Sequence, residues 1–262
     1  MLKDIMVHMD QTTACKSRLE AAVSLAKKHG ACLTGLNIYS SPHLNEPVQQ
    51  AEDVRKIFQQ QTEGVGVDSV WLDVDLGFSN VGVAEMIGYY ASFTDLLVVS
   101  QPLTADKDKK HTVITSPERL LLGTGRPVLI IPASGVFPRI GERVMVAWKA
   151  GPKASRAMHD ALPILRKANY VNLVSVGKAA FSPDEGERLS RYLELHNVLA
   201  DIELIPPGEL SVGNTLLNLA SDDNIDLIVL GVHITTRRGQ LDMGEIGSHL
   251  LGQMTVPMLL SH

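Results

Sequence analysis

The chain alternates short unbroken apolar runs with longer stretches at helical spacing. Ile5-Met6-Val7 is the first run, closed by Asp10. Leu19, Ala22, Val23 and Ala26 follow on one helix face, up to a stop at Gly30. A second strand is expected over Cys32 to Ile38, and a connection through Pro42 and Pro47 leads to a polar helix around Phe58. The alternation Val70-Trp71-Leu72-Asp73-Val74-Asp75 predicts a strand with one solvated face. Helix Val81 to Ala91, the run Asp95-Leu96-Leu97-Val98-Val99, a helix over Pro117 to Leu122 and the strand Val128 to Ile131 complete the series. Apolar runs without alternation are what a parallel sheet covered on both faces requires, so the order predicts a β-α-β-α-β-α-β-α-β unit.

The same order then restarts. Residues 133–141, ASGVFPRIG, carry two glycines and a proline without any period and read as a linker. Beyond it, Arg143 to Lys149 overlays Asp4 to Asp10, and Ser155-Arg156 falls where the first half has Ser17-Arg18. Asp226-Leu227-Ile228-Val229-Leu230-Gly231 repeats Asp95 to Ser100, and Val256 to Leu260 repeats Arg126 to Ile130. An internal duplication of one α/β unit follows, with domains expected at 1–134 and 141–262.

Composition narrows the classes. Of 262 residues, 45% are hydrophobic and 20% charged, which fits packed cores and not disorder. The net charge of −5 is spread over both halves and argues against nonspecific nucleic-acid binding. Two cysteines, Cys15 and Cys32, cannot build a disulfide scaffold or a Cys-rich metal site. The N-terminus lacks the apolar stretch of a secretion signal, and no run approaches the roughly 20 residues of a membrane span. A cytosolic protein without membrane or nucleic-acid partners is the expectation.

The opening strand ending in Asp10, the phrase Ala91 to Val99 and Gly125 to Pro132 resemble the universal stress protein family. So do Val144 to Trp148, Ser155-Arg156-Ala157, Asp160 to Pro163 and Asp226 to Gly231 in the second half, so the resemblance is to a tandem two-domain member. It implies an α/β fold of two similar doubly wound, adenine-nucleotide-hydrolase-like domains, each a five-stranded parallel sheet of order 3-2-1-4-5. Ligands of such sheets bind where the strand order reverses. That places Asp10 with Ser100 and Gln101 in one crevice, and Lys149 with Gly231 and Val232 in the other. The resemblance also implies a cytoplasmic stress-response protein whose halves pack as an internal pseudo-dimer through Val128 to Ile131 and Val256 to Leu260, with homodimer formation beyond that.

ATP-binding members carry Gly-x-x-Gly and, further on, Gly-Ser or Gly-Thr, because glycines admit phosphates to the backbone at a helix N-terminus. Aligned on Gly231, the second half has Ile234 for the second glycine, then Gly244, and Glu245 in place of the hydroxyl residue. A carboxylate there already satisfies the helix dipole and repels a phosphate. An adjusted loop would draw on Thr235, Thr236, Arg237, Arg238 and Gly239, with Gly247-Ser248 three residues late. The candidate binding set for ATP in the second domain is therefore Gly231, Thr235, Arg237, Gly244, Gly247 and Ser248. The first-half loop runs through Lys107, Lys109, Lys110 and His111 without a glycine, then enters its helix through Ser116-Pro117-Glu118, a self-contained start.

Asp10 has two readings: a residue beside adenosine, as in nucleotide-binding members, or a cap for its own turn. His233 and His249 flank the second-half loop as phosphate contacts or surface residues. Cys15 stands at a helix start, where it is either an activated thiol or a small buried residue. No catalytic or metal motif is present. The expected function is ligand or partner binding without a dedicated catalytic site. The alternatives are adenine-nucleotide binding or slow ATP hydrolysis through the second crevice, and a small-metabolite carrier or enzyme built on a large apolar pocket.

Overall fold

The computed structural model describes residues 1–39, 46–77, 81–102, 116–177, 182–237 and 240–262. The chain divides into two compact units, Met1–Pro138 and Arg139–His262, with the division inside the expected linker.

In the first unit, β1 (Asp4–Met9), α1 (Cys15–His29), β2 (Cys32–Tyr39), α2 (Glu46–Thr62) and β3 (Ser69–Asp75) lead to α3 (Val83–Ala91), β4 (Leu96–Ser100), α4 (Pro117–Thr124) and β5 (Val128–Ile131). All pairings are parallel, giving the order β3-β2-β1-β4-β5. The second unit runs β6 (Arg143–Ala147), α5 (Pro152–Leu165), β7 (Tyr170–Val176), α6 (Pro183–Leu195), β8 (Asp201–Ile205) and α7 (Val212–Asp222). It continues with β9 (Leu227–Gly231), β10 (Thr235–Arg237), β11 (Gln240–Asp242), α8 (Gly244–Gln253) and β12 (Met258–Ser261). Its sheet repeats the order, β8-β7-β6-β9-β12, again all parallel. The 3-2-1-4-5 expectation holds in both units.

Burial follows the sequence pattern. The central β1 and β4 and the last strands β5 and β12 are apolar and buried almost throughout, whereas β3 and β8 keep solvated positions. Those two strands carry Asp73, Asp75, Asp201 and Glu203, charges that discourage further strand pairing. One carboxylate ties each sheet centre together. Asp95 Oδ2 accepts from the N–H of Lys3 at 2.6 Å and of Asp4 at 3.2 Å. Asp226 Oδ1 accepts from Gly141 at 2.8 Å and Glu142 at 3.0 Å. The same residue type, one position before the fourth strand, clamps the start of the first strand in both units, so the duplication reaches side-chain chemistry.

One element departs from the sequence reading. The expected phosphate loop contains an antiparallel pair, β10 with β11, joining Thr235 to Asp242 and Arg237 to Gln240.

Candidate functional site

Strand register makes the two crevices comparable residue by residue. Ile5 lies opposite Leu96 and Val144 opposite Leu227, so His8, Met9, Asp10 and Ser100 correspond to Ala147, Trp148, Lys149 and Gly231.

In the first unit the crevice is filled by the protein's own side chains. Arg18, from the first turn of α1, is 1% exposed, and its Nη2 lies 3.0 Å from Asp10 Oδ1. Its Nη1 donates to Ser100 Oγ at 2.7 Å, linking the ends of β1 and β4 across the strand-order reversal. The N–H and hydroxyl of Thr12 also donate to Asp10 Oδ1, at 3.0 and 2.6 Å. Asp10 therefore does cap its own turn, and it also holds an ion pair that sequence spacing did not reveal. Burial works to raise its pKa, but Arg18, His8 and the Thr12 hydrogen bond outweigh it and bring the carboxyl down to about 2. Burial, with the Arg18 charge, lowers His8 to about 4, even though Asp10 lies 3.6 Å from its Nδ1. Cys15 is buried and burial raises its thiol pKa, which removes the activated-thiol reading. Residues 103–115, with Lys107, Lys109, Lys110 and His111, lie outside the described residues. Ser116 precedes Pro117 as expected, but its hydroxyl bonds the Glu118 carboxylate instead of capping a helix N–H.

In the second unit the corresponding space is open. A cavity of about 510 Å³ lies at the ends of β6 and β9, walled by Trp148, Val174, Val176, Leu216, Leu230 and Ile246. Lys149, Lys153, His233 and the first turn of α5 complete it. Arg156, aligned with Arg18 in the sequence, is exposed and lines a separate groove between α5 and α6, which Trp148 and Pro152 also border. The opening follows from the substitutions: Lys149 cannot draw a guanidinium inward, and Gly231 offers no hydroxyl to receive one.

Of the six expected binding residues, Gly231 lines this cavity. It must be glycine for packing, since a Cβ there would stand 2.4 Å from the Lys153 backbone. Thr235 begins β10 and is exposed, and the backbone of Arg237 ends that strand. Gly244 starts α8 in a left-handed conformation, φ 81°, with its N–H donating to Asp242 Oδ1 at 2.8 Å. Gly247 packs on Met243 and Val232 inside α8, and Ser248 is exposed on the same helix. Arg238 and Gly239 lie outside the described residues.

The described residues do not form a triphosphate cradle. The Ile234 N–H points to His262 Nδ1 at 3.2 Å, the Gly244 N–H is taken by Asp242, and Glu245 occupies the first turn of α8. His233 lines the cavity and stacks on His262, while His249 bonds Asn214 at 2.7 Å between α7 and α8. Sequence reasoning missed Trp148 as a wall and Lys153 as a cavity cation. The available signal was their place just after β6 and at the start of α5. Among the described residues no group of three or more His, Cys, Asp or Glu side chains could hold a metal ion, and no helix is long and apolar enough to cross a membrane.

No protein-family model matches the sequence, and no curated protein matches it. Solved structures do. A universal stress protein from Archaeoglobus fulgidus superposes with a TM-score of 0.77 at 16% identity, covering 98% of this chain and 97% of that one. A putative universal stress protein from Pseudomonas aeruginosa gives 0.61 at 14% identity over 99% and 93%. The cytoplasmic domain of a prokaryotic cation chloride cotransporter gives 0.52 at 11% over 99% and 95%, so this architecture also serves elsewhere. The chain carries, in two successive α/β units, the fold of the universal stress proteins.

Proposed function

We propose that this protein is a tandem universal stress protein that acts by binding a small ligand in its second unit, without a catalytic constellation of its own. The observation carrying the proposal is the asymmetry of the crevices: Arg18 fills the first, and the second keeps a cavity of about 510 Å³, within the size range of small-molecule sites. The first unit then serves as a structural partner. Nucleotide binding is the second reading. Its support is the position of the cavity at the strand-order reversal, and against it stand the engaged Ile234 and Gly244 N–H groups and Glu245.

The test is extraction of small molecules from freshly purified, denatured protein, combined with thermal-shift titrations using ATP, ADP and AMP with magnesium. A retained molecule, or a shift with any compound added, supports ligand binding, because a ligand at 100 times its Kd adds about 2.7 kcal/mol. A shift confined to adenine nucleotides selects the second reading. Clean extracts and no shift with any compound tried, octanoate and octanol included, overturn the proposal.

A further inference from the structure

The polar groups of the second-unit cavity differ in kind from its walls. Around it, Asp, Glu, Asn, Gln, Ser and Thr side chains are absent among the described residues. Its polar side chains are the ammonium groups of Lys149 and Lys153, the His233 ring and the indole of Trp148. Neither lysine forms an ion pair among the described residues. The Lys153 Nζ faces a histidine instead, His262 Nε2 at 3.2 Å. The His262 ring, whose Nδ1 lies 3.2 Å from the Ile234 nitrogen and 3.1 Å from the Val232 carbonyl, adds no negative charge.

Three further features favour an anion. Gly151 gives α5 no side-chain cap and Pro152 has no N–H, so the N–H groups of Lys153 and Ala154 lack intrahelical partners. Gly231 has no Cβ where one would press on that backbone. Trp148, 7% exposed, has a buried Nε1–H without a hydrogen-bond partner among the described residues, a donor that an acceptor reaching it would satisfy.

We infer that the cavity binds a small monoanion with an apolar body, of the class of medium-chain carboxylates, with its head group at Lys149, Lys153 and the start of α5 and its body against Leu216, Leu230 and Ile246. The inference rests on the ligand-binding reading above and names the ligand class. A nucleotide suits the site poorly: the lining has no carboxylate, amide or hydroxyl side chain to accept from the ribose, and a polyphosphate extending toward α8 meets the carboxylate of Glu245. A carboxylate needs only a few convergent donors, and an alkyl body gains from the apolar walls.

Isothermal titration of the full-length protein with octanoate, its neutral analogue octanol, and ATP with magnesium tests this. Octanoate is expected to bind once per chain, with octanol at least about tenfold weaker because charge-assisted hydrogen bonds are lost. Lys149→Glu, at an exposed position, is expected to weaken octanoate about tenfold or more with the fold intact by circular dichroism. Trp148→Phe, which keeps a ring, provides a second variant with the same direction of change. Equal binding of octanoate and octanol, or octanoate binding unaltered in both variants, overturns the anionic-head assignment. ATP binding without octanoate binding overturns this inference and leaves the ligand-binding reading standing. No binding by any of the three overturns the inference, and the extraction test then decides the broader reading.

Discussion

The ends of β1 and β6 occupy the same place in two copies of one fold, yet one is closed and the other open. At the first, Asp10 pulls Arg18 out of solvent and Ser100 receives its other nitrogen. At the second, Lys149 and Gly231 stand in those two places, the aligned Arg156 stays exposed, and a cavity remains. A duplicated crevice can thus be closed in one copy and open in the other through a few side chains while strand order and register are the same. Among the described residues the difference also divides the chemistry: the buried Arg18–Asp10 pair lies in one unit and the cavity of about 510 Å³ in the other.

The strongest way to break this comparison is Asp10→Ala. It leaves the Arg18 guanidinium, 1% exposed, without its counter-charge, and removing one partner of a buried pair destabilises by about 3–5 kcal/mol. Urea unfolding should show this as a large fall in midpoint. Replacing the pair together, Asp10→Leu with Arg18→Met, should recover most of the loss, because an apolar replacement strands no charge. If the single variant unfolds like the parent, Arg18 is not the plug described.

Acid provides the next test. Burial holds His8 near pKa 4 against 6.5 in the unfolded chain, so between these values the unfolded state binds a proton that the native state does not. Stability therefore falls as pH drops from 6.5 to 4, by roughly 3 kcal/mol at 1.36 kcal/mol per pH unit. Asp10 has the depressed pKa of about 2, so its contribution is present above 3.8 and is lost as pH falls toward 2. The second unit has Ala147 at the His8 position. His8→Gln should accordingly flatten the stability profile between pH 6.5 and 4, as followed by denaturant midpoints across that range.

What could be read from the sequence and what could not divide along the same line. The succession of strands and helices, the Gly30 stop and the correspondence of Asp95 with Asp226 were legible because they rest on apolar period and on repetition along the chain, whereas the 3-2-1-4-5 order came from the family resemblance. Asp10 was legible as a turn cap, since Thr12 is two residues away. Its partner Arg18 was not, because the contact joins a strand end to a helix, and only packing decides whether a long side chain turns inward. The place of the second crevice, at Lys149 and Gly231, was expected, but its openness was hidden for a related reason: it exists through what Lys149 and Gly231 fail to do. Periodicity also missed β10 and β11, each three residues long, although Thr235-Thr236 and Leu241 flanking Gly239 carried a hairpin signal.

Gly231 sharpens the comparison at a smaller scale. In the first unit the corresponding Ser100 has room for a side chain that accepts from Arg18, whereas a Cβ at Gly231 would meet the Lys153 backbone at 2.4 Å. Gly231→Ala should therefore destabilise by about 1–3 kcal/mol through forced displacement of α5, measured by chemical denaturation. Ser100→Gly should act through a lost hydrogen bond to a charged group, and a double change combining it with Arg18→Met should be smaller than the sum of its parts.

The smallest effect tests the comparison most directly. Lys149 holds the position of Asp10 but is exposed, has no ion pair among the described residues and faces open space. Lys149→Ala should shift stability by no more than about 0.5 kcal/mol, the ordinary range for a surface substitution. Asp10→Ala at the equivalent place should exceed it several-fold. That contrast isolates what burial adds, since both changes delete one charge at the same point of the same fold. If Lys149→Ala proved as damaging as Asp10→Ala, the second crevice would have to be a stabilised joint like the first, and the asymmetry on which ligand binding rests would be lost.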